Sequence, residues 1–323
     1  MTLAARADSL APFGIASAYN LVALGTVDSH GATLIAGTIS TSADVTGRVA
    51  AADRILVGTT IGSNLNSDPY GALATFGFVS TNGLVAGQTF NMNGGGNAYA
   101  PGTNGNFNFN DAGHRVTSGG SGIDFDTLRT TLDAQSLYLA TQSTTGQALG
   151  LNQPAHNPSW YVLKGTSATL NVFTIDASVF GDGNHPIDID APVGSTILVN
   201  VTGTNLSLGT AIYYNGTQHS GDDAADDRIL FNFSTATALA LNQGFSGSVL
   251  APFAVLSGTG QIDGNFIAAQ IGATGEVHNE EFIGSLPNDP GGKISAVPEP
   301  STLMLMGTGI MSLAAAMRRK MTK

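Results

Sequence analysis

Residues 245–268 read FSGSVLAPFAVLSGTGQIDGNFIA, and this stretch decides the fold class. One pattern occurs in it twice, at residues 245–251 and 262–268: an apolar residue, any residue, Gly, any residue, two apolar or small residues, and Ala. Gly247 and Gly264 are 17 positions apart, which is close to the length of one coil in a β-solenoid, where successive coils stack. The pattern therefore predicts stacked strands, with Gly where the chain turns a corner.

The same pattern occurs near the other end of the chain, as VTGRVAA at residues 45–51. We therefore expect one stack assembled from both ends of the chain, with a different middle part. Short strand-like runs bounded by turn residues support a mainly β fold. They lie at residues 33–36, 54–57, 162–174, 195–202 and 254–257. The predicted architecture is a right-handed β-solenoid (β-helix).

One segment has a helical rather than a strand period. Over residues 125–139, apolar side chains recur at Phe125, Leu128, Leu132 and Leu139, and Asp124 is placed to cap the first turn. We expect one long amphipathic α-helix packed alongside the β body, where it covers an apolar side.

Composition excludes several classes of function. The 323 residues include 42 Gly and 11% charged residues, with 23 Asp plus Glu against 12 Lys plus Arg. Nucleic acid is excluded as a partner because phosphate binding needs clustered cations, whereas Ca²⁺ and neutral glycans are compatible with an acidic body. The absence of Cys excludes disulfides, thiolate catalysis and cysteine-based zinc sites.

The C-terminal end contains the parts of an export signal. An apolar run at residues 303–317 is short for a membrane span of about 20 residues. A basic cluster, whose charge orients such a helix, follows it at Arg318, Arg319 and Lys320. An ordinary single-pass anchor is one interpretation of this C-terminal hydrophobic helix.

Before the apolar run stands a short extended motif, preceded by a Gly- and Pro-rich linker at residues 288–296. The motif is Val297, Pro298, Glu299 and Pro300. Its two prolines hold Glu299 in the extended conformation in which processing enzymes bind their substrates.

Pro298-Glu299-Pro300, an apolar helix and a terminal basic cluster, in this order, resemble the PEP-CTERM sorting signal. The resemblance implies that a membrane enzyme of the exosortase class recognises the tripeptide and removes the tail at residues 297–323. It also implies that the chain is held in the inner membrane before processing, in a Gram-negative bacterium that makes exopolysaccharide.

The N-terminal end lacks the matching leader. Residues 1–9, MTLAARADS, have no apolar core, but Ala5-Arg6-Ala7 has the small-x-small form of a signal-peptide cleavage site. We interpret this segment as the remnant of a signal peptide and expect the true start upstream.

Three stretches of the body carry a second resemblance. They are AYNLVALG at residues 18–25 with the Gly47 pattern, ILVNVTG at 197–203, and the closing stretch 249–287 with its VLAP, GEVH and GSLP segments. These residues resemble the choice-of-anchor A family over residues 10–287. Members share a body and carry different surface anchors, so the resemblance implies an adhesin-like β domain. It supplies neither a ligand nor a catalytic motif.

Two oxygen-rich stretches are candidate calcium sites, since Ca²⁺ takes six to eight oxygen ligands. The first holds Asp222, Asp223, Asp226 and Asp227, and the second holds Asp182, Asn184, Asp188 and Asp190. Neither has the Gly and Glu of an EF-hand. Solvated loops are the alternative, and no other cofactor is expected.

Catalysis is the main alternative to adhesion. His278 stands near Glu276, Glu280 and Glu281, which is either an acid–base cluster or a polar cap on the last coil. Because Lys and Arg are sparse in the body, with Arg228 beside the Asp run as the exception, a lyase-type site is hard to assemble. We therefore predict that the chain is not an enzyme.

The best candidate for a contact surface is the Asn- and Gly-rich stretch at residues 90–110, with Tyr99, Phe107 and Phe109 interleaved. Aromatic rings stack on sugars while Asn amides hydrogen-bond hydroxyls; a mobile loop is the alternative. Trp160, Tyr213 and Tyr214 are expected in the core. Ice binding is disfavoured, because Thr residues do not recur at the coil period; the ones considered are Thr38, Thr41 and Thr46.

Together these features predict an exported protein of the cell envelope, outer surface or extracellular matrix, adhesive or structural, whose partner is exopolysaccharide or another envelope glycan. The alternatives are a polysaccharide lyase-like β-solenoid enzyme and a Ca²⁺-dependent glycan-binding module.

Overall fold

The structure is a computed structural model that describes residues 11–65, 69–94, 96–180, 184–219 and 226–287, and these residues are mainly β. The α-helix among them, α1, spans Phe125–Ala140, and short 3-10 helices lie at Gly14–Ala18, Gly71–Leu73 and Ala177–Phe180. The strands in chain order are β1 Leu21–Ala23, β2 Thr26–Val27, β3 Thr33–Ile35, β4 Val49–Ala51, β5 Thr60–Ile61, β6 Phe78–Ser80, β7 Thr89–Met92, β8 Ala98–Tyr99, β9 Asn106–Phe109, β10 Arg115–Val116, β11 Gln147–Gly150, β12 Tyr161–Lys164, β13 Leu170–Asp176, β14 Ile187–Asp190, β15 Thr196–Thr202, β16 Asn205–Leu208, β17 Ile212–Tyr214, β18 Ile229–Asn232, β19 Ala238–Leu241, β20 Phe245–Ser246, β21 Ser248–Gly258, β22 Ile262–Asp263, β23 Phe266–Ile271 and β24 Val277–His278.

A long row of parallel strands organises the fold. Its order is β10-β8-β6-β4-β1-β23-β21-β18-β15-β13. The N-terminal strand β1 lies inside this row, since Leu21 pairs with Val49 on one side and with Phe266 on the other, both in parallel. The expectation that distant parts of the chain form one stack is thereby confirmed.

Two further parallel rows accompany the long row. The second row pairs β16 with β19 and β19 with the latter half of β21, and isolated bridges at Ile39 continue it to Ile55 and Ile271. The third row contains β20-β22-β24 and β5-β7-β9, and bridges from Val45 to Val277 and Ile61 join its two parts. A four-stranded sheet, β11-β12-β14-β17, lies in the middle of the chain, and β2 and β3 form a small antiparallel pair.

Glycine occupies the corners between the rows, as the sequence pattern predicts. Gly247 separates β20 from β21 and Gly264 separates β22 from β23, with φ angles of +105° and +135° that L side chains rarely adopt. The strands that flank them pair in register, with Phe245 opposite Ile262. Gly47 is confined by space instead, because a Cβ there would lie 1.5 Å from Oδ1 of Asn20.

Alternate side chains of the long row supply two cores. In β1, Leu21 and Ala23 enter the core between the rows, whereas Val22 points to the opposite side. The period of two along a strand explains the division. In β21, Val249 and Leu250 are divided in the same way.

Helix α1 covers the outer side of the long row, as expected. Oδ1 of Asp124 accepts hydrogen bonds from the backbone N–H groups of Asp126 and Thr127, which confirms the predicted cap. The predicted apolar positions of the helix are buried, and they belong to the same core cluster as Val22, Leu198 and Leu250 of the row. The helix ends at Ala140, one residue beyond the predicted stretch.

Three strand predictions differ from the structure. The run at residues 162–174 is divided into β12 and β13, because the side chain of Asn171 accepts from Ser167 N and donates to Ser167 O, closing a turn between them. The run at 54–57 contributes only the bridge at Ile55. The run at 33–36 forms β3, which pairs antiparallel with β2 outside the parallel rows.

In the described part of the chain, no helix has both the length and the apolar character needed to cross a membrane. The predicted sorting helix and its flanking motifs lie outside the described residues, as does the segment at residues 1–9.

Candidate functional site

The Asn-rich stretch forms ordered strands with outward-facing amides. Strands β7 and β9 pair in parallel, with Asn91 opposite Asn108. Nδ2 of Asn108 donates to Oδ1 of Asn91 at 3.0 Å, and Nδ2 of Asn110 donates to Oδ1 of Asn93 at 2.5 Å. We call these two side-chain pairs the asparagine rungs. They place four amides in two ordered steps at the surface of the third row.

Strand alternation explains why the amides face outward. Along β7, Phe90 and Met92 flank Asn91 and are buried in the core. Along β9 the same alternation turns Phe107 and Phe109 toward that core. Thr60 of β5 pairs with Asn91, so the polar side of the row continues beyond the rungs.

Of the three aromatic residues predicted as a ligand platform, Phe107 and Phe109 lie on the inner side of this layer, whereas Tyr99 belongs to the core on the helix side of the long row. Tyr99 is 9% exposed and its ring centroid is 5.6 Å from that of Phe76. Phe107 and Phe109 are half-buried and pack against the core, with the ring of Phe107 5.0 Å from that of Phe78. The N-F-N-F alternation of residues 106–109 is the signal that could have separated outward amides from inward rings.

An acidic cluster forms at one of the two predicted calcium stretches. Carboxylate oxygens of Asp226, Asp227 and Glu280 all lie within 4.8 Å of one another. Asp226 is 2% exposed, and burial, followed by the charges of Asp263 and Asp227, raises its pKa to about 7. Burial also raises the pKa of Glu281 to about 7. Sequence reasoning did not connect Glu280 with the Asp run, since the two are far apart along the chain.

The described ligands of the second predicted calcium stretch are not among the three residues of this cluster. Asp182, Asp222 and Asp223 lie outside the described residues. Asn184 is exposed. The carboxylates of the second stretch instead contact basic side chains. Oδ2 of Asp188 is 2.8 Å from Nδ1 of His156, Oδ2 of Asp190 is 3.3 Å from Nε2 of the same ring, and Asp190 also pairs with Lys164.

His278 contacts different partners from those considered in the sequence. Its Nδ1 lies 2.5 Å from Oδ1 of Asp263, on the neighbouring strand, and 3.0 Å from Nε2 of Gln261. Glu276 is farther away, at 3.8 Å. Asp263 was missed, although its opposition to His278 follows from the stacking of β22 on β24. The pair joins two coils of the third row.

The aromatic residues assigned to the core are divided by the structure. Tyr214 is buried, as expected. Trp160 and Tyr213 are half-buried, and their rings pack together with centroids 4.4 Å apart.

The parallel strand rows, the helix that covers one of them and the ordered asparagine rungs define a β domain with an exposed polar face. The chain belongs to the family described as "Putative Ice-binding-like adhesive domain", whose model matches residues 12–279. A second model, the PEP-CTERM protein-sorting motif, matches residues 296–320. The adhesive domain and the sorting motif together indicate an exported cell-surface protein that is processed by an exosortase.

Two solved structures are similar to the chain at low identity. One is an ice binding protein from an Antarctic Biological Consortium, with 10% identity, a TM-score of 0.30, and coverage of 83% of this chain and 89% of that one. The other is an ice binding protein from an Antarctic bacterium, Flavobacteriaceae, with 16% identity, a TM-score of 0.27, and coverage of 78% and 59%. Among curated proteins, none matches the chain.

Proposed function

We propose that this protein is a non-enzymatic adhesive or structural component of the exopolysaccharide matrix or outer envelope of a Gram-negative bacterium. In this proposal residues 10–287 form a right-handed β-solenoid of the choice-of-anchor A type. The asparagine rungs are its contact surface for exopolysaccharide or another envelope glycan.

The single observation that carries the proposal is the side-chain pairing in the rungs. The side-chain amides of Asn91 and Asn108 each carry a donor group and an acceptor oxygen. They can therefore bind hydroxyl groups, which also donate and accept. Because Asn108 already holds Asn91, less side-chain entropy is lost when a sugar is bound than for free side chains. The first rung lies on the paired strands β7 and β9 and the second lies one residue beyond their ends, so the strand pairing fixes their spacing.

The half-buried rings of Phe107 and Phe109 support this surface from below and stay in the proposal as apolar contacts beside the rungs. Tyr99 stays in the proposal as an apolar contact on β8 of the long row. The guanidinium of Arg115 lies 5.6 Å from the ring centroid of Phe107. That contact holds the ring in place beside the rungs.

Sorting completes the proposal. The tail at residues 297–323 delivers the chain to the inner membrane, an exosortase recognises Pro298-Glu299-Pro300, and the linker at 288–296 separates this tripeptide from the body. Polysaccharide lyase-like catalysis is not part of the proposal, since the chain has few Lys and Arg side chains to form the cation clamp that such chemistry needs.

The test is co-sedimentation with exopolysaccharide purified from an exosortase-bearing bacterium. A variant with Asn91→Ala and Asn108→Ala is expected to bind about tenfold more weakly, because two hydrogen-bonding amides are lost. The matched control replaces two exposed asparagines on the second row, Asn205→Ala and Asn242→Ala. Equal binding by both variants and the wild type would reject the rungs as the contact surface.

A further inference from the structure

A buried carboxylate without a donor lies at the centre of the acidic cluster. Asp226 is 2% exposed, and within the described residues neither of its carboxylate oxygens has a hydrogen-bond partner. Its oxygens and those of Asp227 and Glu280 come within 4.8 Å of one another. An ionised carboxylate buried without a donor is costly, so either protons or a cation must offset its charge.

The charged surroundings favour a cation. The groups whose charges act on Asp226 are Asp263, Asp227 and His219, which are two carboxylates and one imidazole. The guanidinium of Arg48 acts on Glu281 instead. Glu281 is 3% exposed, and in the part of the chain that the structure describes its Oε1 also lacks a hydrogen-bond partner. The carboxylates therefore extend beyond the three clustered residues.

We infer that Asp226, Asp227 and Glu280 bind one Ca²⁺ ion. All three offer hard oxygen ligands, which Ca²⁺ prefers, and three carboxylates can supply up to six of them. Ca²⁺–oxygen distances are about 2.3–2.6 Å, so oxygens on opposite sides of the ion are separated by about the largest spacing in the cluster. Zinc would favour imidazole or thiolate ligands.

The ion would join two parts of the chain that are distant in sequence. Asp226 and Asp227 immediately precede β18, and the backbone O of Asp226 accepts from Ile229 N. Glu280 follows β24, in the segment that closes the body before the linker. Ile283 N donates to the backbone O of Asp227 at 2.8 Å, so these two segments already touch.

This arrangement gives the ion a role in closing the domain. Extracellular calcium modules bind at about 10⁻⁴–10⁻³ M, so a site of that affinity fills after export. Binding would then fasten the closing segment to β18. The inference is independent of the asparagine rungs.

Thermal unfolding of the full chain tests it, with EDTA and then with about 1 mM CaCl₂. In EDTA, Asp226→Asn is expected to melt at or above the wild-type temperature, because one uncompensated buried charge is removed. With CaCl₂ the melting temperature of the wild type is expected to rise, and that of Asp226→Asn to rise only a little. The wild type should then melt at a higher temperature than the variant. Asp111→Asn, an exposed carboxylate on another loop, should follow the wild type in both conditions.

A calcium-independent melting temperature of the wild type would overturn the inference, as would an equal calcium effect in Asp226→Asn. If Asp226→Asn does not fold, Glu280→Gln takes its place in the experiment, and its melting temperature is likewise expected to rise little with CaCl₂. A calcium effect that is lost in Asp222→Asn with Asp223→Asn but kept in Asp226→Asn would assign the ion to another site and also overturn it.

Terbium luminescence locates the ion without relying on stability. Burial, followed by the charges of Glu281 and Asp227, raises the pKa of Tyr70 to about 12 against the opposing charge of Arg228. The inference assigns Tyr70 as the tyrosine that transfers energy to the ion. Excitation of tyrosine should therefore produce Tb³⁺ emission that Ca²⁺ displaces. Tyr70→Phe should weaken the emission while leaving the calcium-induced melting shift unchanged. Unchanged emission in Tyr70→Phe would contradict the assigned location.

Discussion

The side-chain amide of Asn265 donates to the backbone carbonyl oxygen of Tyr19 across 2.8 Å, although 246 positions separate the two residues. The same Nδ2 donates to the carbonyl of Ser17 at 3.1 Å, and Oδ1 accepts from Phe282 N at 2.7 Å. Asn265 is fully buried. One side chain therefore joins the first described segment, the stacked strands and the closing segment.

Replacement of this residue should destabilise the whole domain. Asn265→Ala removes three hydrogen bonds and leaves two carbonyls and one N–H buried without partners, each costing about 1–3 kcal/mol. We expect the free energy of unfolding to fall by about 3 kcal/mol or more, measured by chemical denaturation. Asn242→Ala, at an exposed position, is the control and should change it by less than about 0.5 kcal/mol. Similar losses of unfolding free energy in both variants would contradict the conclusion that the side chain of Asn265 joins the three segments.

The buried face of α1 should stabilise the long row. Leu132 is fully buried, whereas Leu137, on the same helix, is 51% exposed. We expect Leu132→Ala to cost about 2–5 kcal/mol of unfolding free energy because it leaves a cavity, and Leu137→Ala to cost under about 1 kcal/mol. Denaturant titration of the pair separates packing from helix propensity, since both variants make the same substitution. Equal losses would show that the helix does not cover the row.

Asp133 should make stability depend on pH. Burial raises the pKa of Asp133 to about 6 from 3.8, and no described residue donates a hydrogen bond to its Oδ1. The folded state therefore binds the proton more tightly than the unfolded state, and stability falls as pH rises through the interval between these values. Asp133→Asn abolishes the titration. It should raise the melting temperature above pH about 7 and have little effect below pH about 4.

Melting temperatures of Asp133→Asn and the wild type over this pH range check the expectation. Asp111→Asn, at an exposed loop position, serves as the control and should show no such pH-dependent gain. A gain in Asp133→Asn that is the same at both ends of the range would mean that the carboxylate charge is not the cause.

Local patterns in the sequence predict the repeating parts of the fold well. The spacing of Gly247 and Gly264 predicts the register that places Phe245 opposite Ile262. The apolar period and Asp124 predict α1 and its start. These features depend on neighbours in the chain or on one coil length, so residue types and spacing suffice to predict them.

Contacts between segments that are distant in the chain are harder to predict from the sequence. A shared Gly pattern indicates that residues 45–51 join the C-terminal strands, but it does not show that β1 lies between β4 and β23. Glu280 and Asp226 meet because the closing segment crosses the start of β18, and no spacing in the sequence encodes that crossing. The inward turn of Phe107, by contrast, could be predicted from strand alternation.

The most direct test of the account is the intact mass and location of the protein when it is expressed, with a signal peptide fused to its N-terminus, in an exosortase-bearing Gram-negative host. We predict that it is recovered outside the cell or at its surface, with a mass that lacks the tail after the Pro298-Glu299-Pro300 region. Replacing these three residues by Ala should leave the tail attached and the protein in the membrane fraction, whereas Gly291→Ala with Gly292→Ala in the linker should not. Cytosolic protein that retains its full C-terminus would contradict the account.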